Sequence, residues 1–175
     1  FEEDSSPGVA AGRVVWLGSD YEDTEIFLYD GVGTVPLTDN HVDDVNPVVS
    51  SSHVAWLRTN GSTHDVYLYN GSDVQRLTDD DQPDQGLALS GDRLVWYGHD
   101  GNAFQIYHHQ GGVTQKLTSG STDNHLPRIS GSRVVWHGSD GNDDEIFMYD
   151  GGSVVQLTDN AYNDRNAHVS ATHVA

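Results

Sequence analysis

The chain has 175 residues, with 27 acidic against 8 basic side chains and a net charge of −19. This balance excludes nucleic acid and anionic membrane surfaces as partners, because both attract proteins through basic patches. Cysteine is absent, which excludes disulfides, thiolate metal sites and cysteine nucleophiles, and no apolar run is long enough for insertion into a membrane.

The sequence repeats itself at intervals of 40 residues. A Leu-Thr pair, a glycine and a tryptophan recur in every copy, the tryptophans being Trp16, Trp56, Trp96 and Trp136. The copies align without insertions or deletions. This regular repeat predicts a single domain or segment over residues 1–175. Its four units are approximately 5–40, 41–80, 81–120 and 121–160, and residues 161–175 begin the pattern again as a partial fifth unit.

Each unit predicts four short β-strands in the same order. In the last complete copy the strands are Leu126–Ser130, Arg133–Gly138, Glu145–Asp150 and Ser153–Thr158. Each is rich in β-branched and aromatic residues and is bounded by Gly, Asn, Asp or Ser, which favour turns. No segment carries the i, i+3, i+4, i+7 apolar pattern, so we expect essentially no helix.

The apolar pattern predicts that both faces of every sheet are covered. Val14–Leu17 and Ile26–Tyr29 are apolar at consecutive positions rather than at alternating ones. A β-sandwich would leave one face polar, whereas radial stacking of four-stranded sheets buries both faces. The sequence therefore predicts an all-β fold, a β-propeller built from four 40-residue, four-stranded blades plus the first strands of a fifth, at Ala167–Ser170 and from Thr172 onward.

The repeat resembles that of the TolB-like β-propeller family. Residues 134–160 read VVWHGSDGNDDEIFMYDGGSVVQLTDN. The family's Ser-Pro-Asp-Gly turn after the first strand is degenerate, as at Ser90-Gly91-Asp92. The resemblance covers the whole chain and implies a propeller that serves mainly as an interaction platform. It also implies an extracellular, cell-surface or periplasmic location, because such repeats occur in bacterial and archaeal proteins of those compartments.

The number of blades leaves three interpretations open, because family propellers usually have more blades than this chain supplies. The chain is a segment of a longer array, or it associates with copies of itself through an open blade edge, or it closes alone with a frayed tail. An uncovered blade face or strand edge templates association. Head-to-tail contacts of this kind give rings or open filaments.

The third copy departs most from the repeat. Gln105 stands where the other copies have an acidic residue, and His108 and His109 replace Leu-Tyr or Met-Tyr. One interpretation is a local ligand or metal site at the histidine pair, and the other is drift on a half-buried strand. Because adjacent strand residues point to opposite faces, the two imidazoles do not easily share a metal. No asymmetric catalytic constellation is readable, so we expect no catalytic residue.

Two sets of acidic residues are candidates for calcium, which prefers clustered carboxylates and carbonyls. The densest clusters lie before the third strand, with the candidate ligands Asp20, Asp23, Glu25, Asp140, Asp143 and Asp144. The second set lies just before the first strands. In a propeller the first strands are innermost, so this set would surround the mouth of the central channel, at Asp44, Asp84, Asn124 and Asp164. For the second set, the presence of Asn124 favours turn capping over metal binding. Asp and Asn both cap turns, whereas a metal ion prefers a charged ligand.

These observations predict a non-catalytic extracellular or periplasmic propeller scaffold. Its loops would bind a protein or a glycan, or the chain would bind copies of itself through its open blade edge. The alternative is the propeller domain of a secreted polysaccharide-active or other hydrolytic enzyme, with a site at the channel mouth. That alternative requires an asymmetric pocket with convergent polar groups. Ca²⁺ is the only cofactor that the sequence suggests.

Overall fold

The computed structural model describes residues 4–19 and 22–175. These residues form sixteen β-strands and no helix, which confirms the all-β prediction. The strands make four antiparallel sheets of four strands each, with the strands of every sheet in chain order. The strands are β1 Asp4–Ala10, β2 Arg13–Ser19, β3 Thr24–Tyr29, β4 Thr34–Pro36, β5 Asp44–Val49, β6 Val54–Asn60, β7 Thr63–Tyr69, β8 Val74–Arg76, β9 Asp84–Ser90, β10 Arg93–His99, β11 Phe104–Gln110, β12 Val113–Lys116, β13 Asn124–Ser130, β14 Arg133–Ser139, β15 Asp144–Tyr149 and β16 Val154–Gln156.

The fourth strand of each sheet is shorter than the sequence predicts. In the last sheet it covers Val154–Gln156 instead of Ser153–Thr158. The strand ends where the chain turns away, because the hydroxyl of Thr158 accepts the amide of Ile146 at 2.9 Å in place of a backbone carbonyl. The first strand of this sheet is longer than predicted, beginning at Asn124. A side-chain oxygen thus replaces a backbone acceptor of the strand ladder, and strand propensity does not predict where this replacement ends the strand.

The four sheets stack as propeller blades, which we number 1 to 4 in chain order. Each blade has two unlike faces. The front face carries the repeated tryptophan, and the back face is the opposite one. Val15 and Ile26 on the back face of blade 1 pack against Trp56 on the front face of blade 2. The next two junctions repeat this packing, so Trp56, Trp96 and Trp136 are only 0 to 1% exposed. Burial of both faces, as predicted from the consecutive apolar positions, holds at these three junctions.

The first strands of neighbouring blades lie together, whereas the fourth strands are exposed. β1 contacts β5, β5 contacts β9, and β9 contacts β13. Every residue of β4, β8, β12 and β16 is exposed to solvent. The first strands are therefore the inner strands of a propeller, and the core lies between consecutive sheets rather than inside any one of them.

The blades form an open arc rather than a closed ring. All extensive contacts between described strands of different sheets join consecutive blades. Ala167, Val169 and Val174 pack on the back face of blade 4, where a bridge pairs Val169 with Val174. Residues 161–175 therefore hold the position of a beginning fifth blade, but the two strands predicted there are reduced to this single bridge. The third interpretation, in which four blades close alone, is not the arrangement of this structure.

A bulge in each first strand places one residue in the left-handed region of backbone space. The residues at this position are Ser6, Asn46, Gly86, Leu126 and Asn166, with φ between 50° and 63°. Gly and Asn visit this region readily, whereas an apolar side chain such as that of Leu126, which cannot hydrogen-bond the local backbone, does so at a cost. Leu126 is 36% exposed, so only part of the benefit of burying its side chain offsets this cost. Blade 4 is strained here.

Replacing Leu126 with Asn should stabilise the protein by about 1 kcal/mol, because Asn adopts a positive φ with less strain than Leu. Asn46 and Asn166 already occupy the equivalent positions. The free energy of unfolding from urea titration measures the effect. Asn46→Leu is the reciprocal control and should destabilise by a similar amount. A Leu126→Asn protein that is no more stable than the parent would contradict the strain assignment.

Candidate functional site

The residues predicted at the channel mouth lie against the tryptophans of their own blades. Asp44 accepts the indole N–H of Trp56 at 2.9 Å, and Asp84 accepts that of Trp96 at 3.0 Å. Asn124 accepts the third indole at 2.9 Å. All three side chains are at most 8% exposed. Each therefore satisfies a buried indole donor within one blade, and the structure does not bring the three together.

These three buried acceptors differ in how their charge is balanced. Arg58 binds both carboxylate oxygens of Asp44 at 2.8 Å. Blade 3 has Gly98 in place of that arginine, and a Cβ there would lie 2.2 Å from an oxygen of Asp84. Burial, with no cationic partner, raises the pKa of Asp84 from 3.8 to about 7. Asn124, the acceptor in blade 4, is uncharged and needs no cationic partner.

Asp164, the fourth predicted member of this set, is half-buried rather than buried. Its carboxylate accepts a hydrogen bond from the side-chain amide of Asn160 at 2.7 Å. Its own backbone amide donates to the carbonyl of Asp144 at 2.6 Å. Asp164 therefore positions the loop that enters the partial fifth blade.

The predicted acidic ligands of blade 1 are only partly described. Asp20 lies outside the described residues, and Asp23 is half-buried. Glu25 is 2% exposed and accepts the backbone amide of Asn40 at 2.6 Å. Burial raises the pKa of Glu25, while the hydroxyl of Thr38 and the amide of Asn40 lower it. Glu25 thus joins the third strand to the loop that leaves the blade.

Blade 4 collects its acidic residues differently from the sequence prediction. Carboxylate oxygens of Asp140, Glu145 and Asp159 all lie within 4.8 Å of one another. Burial first, and then the neighbouring carboxylates, raise the pKa of Asp143, and its Oδ1 is buried without a hydrogen bond. Asp144 instead forms an ion pair with Arg165. A calcium site in this loop remains a prediction.

The two histidines singled out in the third copy have separate surroundings. His109 is 3% exposed, and its Nδ1 shares a hydrogen bond with the hydroxyl of Thr114 at 2.9 Å. His108 lies toward blade 4, with its ring centroid 6.3 Å from that of Tyr149. Burial lowers the pKa of both imidazoles. They pack into two different blade junctions and do not form one site.

A histidine pair that the sequence analysis missed lies in blade 4. His125 and His137 are directly opposite each other in the β13–β14 ladder, with ring centroids 5.9 Å apart. Positions 12 residues apart are paired in the same way in the other blades, as Val45 is with Leu57. The spacing was therefore visible in the repeat, but it signals proximity only once the strand register is known.

The front face of blade 1 is the largest departure from the repeated packing. Trp16 is half-buried there, unlike the other tryptophans, and Tyr29 is 37% exposed. A cavity of 290 Å³ opens on this face between Asp4, Trp16 and Phe27, with Thr34 and Pro36 at its edge. Among residues 4–19 and 22–175, no blade covers this face. It is an exposed apolar surface of the kind that binds another protein surface.

Comparison with known proteins identifies the fold. No protein-family model matches the chain, and no curated protein matches it. Among solved structures, the β-propeller domain of the Trilobed protease from Pyrococcus furiosus superposes with a TM-score of 0.69 at 16% identity, covering 91% of this chain and 55% of that one. TolB from Acinetobacter baumannii superposes with a TM-score of 0.59 at 20% identity, covering 89% of this chain and 43% of that one.

A peptidase also contains a similar arrangement of blades. The acylaminoacyl peptidase of Pyrococcus horikoshii superposes with a TM-score of 0.69 at 15% identity, covering 89% of this chain and 27% of that one. The chain thus spans about half or less of the length of these three structures. The predicted TolB-like β-propeller fold is confirmed, and these identities carry the fold alone.

Replacing Asp84 with Asn should stabilise the protein at pH 8, because the raised pKa means that ionisation of the buried carboxyl opposes folding. The stability supplied by the protonated carboxyl is complete below pH 3.8 and is lost as the pH rises through about 7. Since one pKa unit corresponds to about 1.4 kcal/mol, the loss is at most about 4 kcal/mol. Unfolding free energies of both proteins between pH 5 and pH 8 should diverge as the pH rises.

Asn124 shows that an amide fits this position, and its Nδ2 finds an acceptor in the carbonyl of Thr122 at 3.1 Å. The control is Asp44→Asn, which should destabilise the protein because it removes the buried carboxylate that pairs with Arg58. A difference between parent and Asp84→Asn that does not change with pH would contradict the assigned ionisation.

Proposed function

We propose that this propeller is a non-catalytic scaffold that binds other protein surfaces, and that the front face of blade 1 binds a second copy of the chain. The observation that carries the proposal is the different exposure of one repeated surface. Trp56 is fully buried by the blade before it, whereas Trp16 is only half-buried. An aromatic and aliphatic face that is covered at three junctions and open at the fourth has the composition of an interface.

The packing between blades indicates what surface would fit this face. At each internal junction the tryptophan face meets a back face of branched aliphatic side chains, such as Leu17 and Ile26. A second copy offers the back face of blade 4, where a cavity of 410 Å³ is lined by Ile146, Leu157 and Val174 among others. Because the two surfaces are different, the contact is heterologous and continues into a ring or a filament.

Residues 166–175 already occupy part of that back face, through Ala167, Val169 and Val174. They correspond in the repeat to residues 6–15, which form the inner edge of blade 1. A docking copy would therefore have to replace this segment with its own equivalent residues. The net charge of −19 also opposes association, so added salt should promote it by screening the repulsion.

Sedimentation equilibrium should give a mass above the 19.1 kDa of one chain, rising with protein concentration and with salt. Trp16→Arg should return the mass to that of one chain, because it places a charge on the apolar face. Tyr29→Arg tests the same face with a residue that is already 37% exposed, so it should not unfold the blade.

The matched control is Val113→Arg, at a residue that is 67% exposed on the outer strand β12 of blade 3. It should associate like the parent. A parent chain that remains monomeric at millimolar concentration and high salt would overturn the self-association part of the proposal. A dimer that does not grow further would replace the heterologous contact with a symmetric one.

We further propose that the exposed acidic loops bind a protein or a glycan and that the chain works in an extracellular, cell-surface or periplasmic setting. Support comes from the resemblance of the repeat and from the absence of cysteine, which leaves no thiol to oxidise. The described part of the chain contains no helix capable of crossing a membrane. The Asp-rich surface keeps a repetitive β-protein soluble and discourages edge pairing.

A second candidate function is that of a propeller segment in a hydrolytic enzyme, which the structural similarity to peptidases favours. The scaffold proposal predicts that the chain alone does not hydrolyse acylated peptides, peptide amides or polysaccharides above the rate in buffer. Chromogenic peptide substrates and released reducing sugars measure this directly. Activity that copurifies with the chain and is lost in His137→Leu would favour the enzyme instead.

A further inference from the structure

Four residues of blade 4 project from one face of its sheet. His125 pairs with His137, and Ser139 pairs with Asp144. Cross-strand partners share a face of an antiparallel sheet, and so do residues two apart in one strand. Two imidazoles and one carboxylate are therefore neighbours on the back face of blade 4, at the end nearest the loop that enters the partial fifth blade.

No other blade combines these groups at the same four positions. Blade 4 alone carries two imidazoles together with a carboxylate there. The corresponding sets are Ser5, Leu17, Ser19 and Thr24 in blade 1, Val45, Leu57, Thr59 and His64 in blade 2, and Gln85, Tyr97, His99 and Phe104 in blade 3. A ligand site needs unlike groups that converge. Three neighbouring positions of one blade that differ from the other blades are therefore stronger evidence for a site than a single substitution.

His137 is the strongest sign that this face binds something. It is 7% exposed, and its Nδ1 is buried without a hydrogen-bond partner among the described residues. Leu17 and Leu57 show that an apolar side chain fits the same position. A buried imidazole nitrogen without a partner opposes folding, unlike a leucine at this position.

The residues around the two histidines favour a cation as the ligand and, among cations, a transition metal. Asp123, Asp144 and both histidines line a polar cavity of 740 Å³ that is open to solvent. Arg165 lines the same cavity and pairs with one oxygen of Asp144, so that carboxylate offsets its charge. Neutral imidazoles favour Zn²⁺ and similar ions, whereas Ca²⁺ and Mg²⁺ prefer oxygen ligands only.

The spacing of the two rings suits a shared ion. Two imidazoles bound to one tetrahedral Zn²⁺ at about 2.0–2.1 Å have ring centroids roughly 5 Å apart. The observed separation is 5.9 Å, so only a small rotation of His125, which is half-buried at the cavity, would close the pair. Asp144 is half-buried on the same face. The ligand atoms of the three residues do not all lie within 4.8 Å of one another, so the Asp144 carboxylate must also turn toward the rings to supply the third ligand.

We infer that His125, His137 and Asp144 form a binding site for one divalent transition-metal ion of the Zn²⁺ type, with water in the remaining coordination position. The site is separate from the carboxylate group of Asp140, Glu145 and Asp159, which holds oxygen ligands only. It fastens the back face of blade 4 to the loop that contains Arg165, because that arginine holds the third ligand.

Isothermal titration of the tag-free chain with ZnCl₂ tests the site, using variants that copy the other blades. The parent should bind one Zn²⁺ per chain, and its melting temperature should rise with Zn²⁺ concentration. His137→Leu, which copies Leu17 and Leu57, should fold and bind Zn²⁺ about tenfold or more weakly. His125→Gln, which copies Gln85, should do the same. Co²⁺ in place of Zn²⁺ should give the visible absorption of a tetrahedral site only in the parent.

Two control variants remove ligands elsewhere. His108→Leu, which copies Leu28 and Leu68, and Asp159→Ser, which copies Ser119, should both bind Zn²⁺ like the parent. Equal binding by the parent, His137→Leu and His125→Gln would overturn the inference. So would loss of binding in Asp159→Ser with retention in His137→Leu, because the ion would then belong to the carboxylate group. A parent that binds no Zn²⁺ below millimolar concentration would also overturn it.

Discussion

The hydrogen bond from each buried indole to the start of the first strand is the interaction on which the blade stack depends. The indole must be buried for one blade to cover the next, and its N–H then needs an acceptor inside the protein. Asp44, Asp84 and Asn124 supply that acceptor from a position 12 residues earlier. The same bond ties the first strand to the second and aligns the front face that the previous blade covers.

The acceptor position also shows how a repeat tolerates variation. A buried carboxylate needs either a cationic partner or a proton, and an amide needs neither. Blade 2 has the partner in Arg58, blade 3 has the raised pKa of Asp84, and blade 4 has Asn124. The three solutions are interchangeable for packing, but they make the stability of each junction respond differently to pH.

The ends of the arc differ from its middle because they lack a neighbour. Blade 1 offers a tryptophan face without a preceding blade, and residues 161–175 cover only part of the back face of blade 4. Blade 4 also departs from the repeat, with a strained Leu126 beside the histidine pair. Open surface and broken symmetry thus occur at the positions where the repeat no longer constrains the sequence, and these are where we place binding.

The sequence by itself determined the fold, the blade period and the burial of the tryptophans between blades, because apolar residues at consecutive positions must be covered on both faces. It did not determine which polar residues meet. Asp44, which was predicted at the channel mouth, accepts a hydrogen bond from an indole, and His125 and His137, which the sequence analysis did not single out, are cross-strand partners. Only the tertiary structure decided this, because strand register and the bulge beside Leu126 set which side chains share a face.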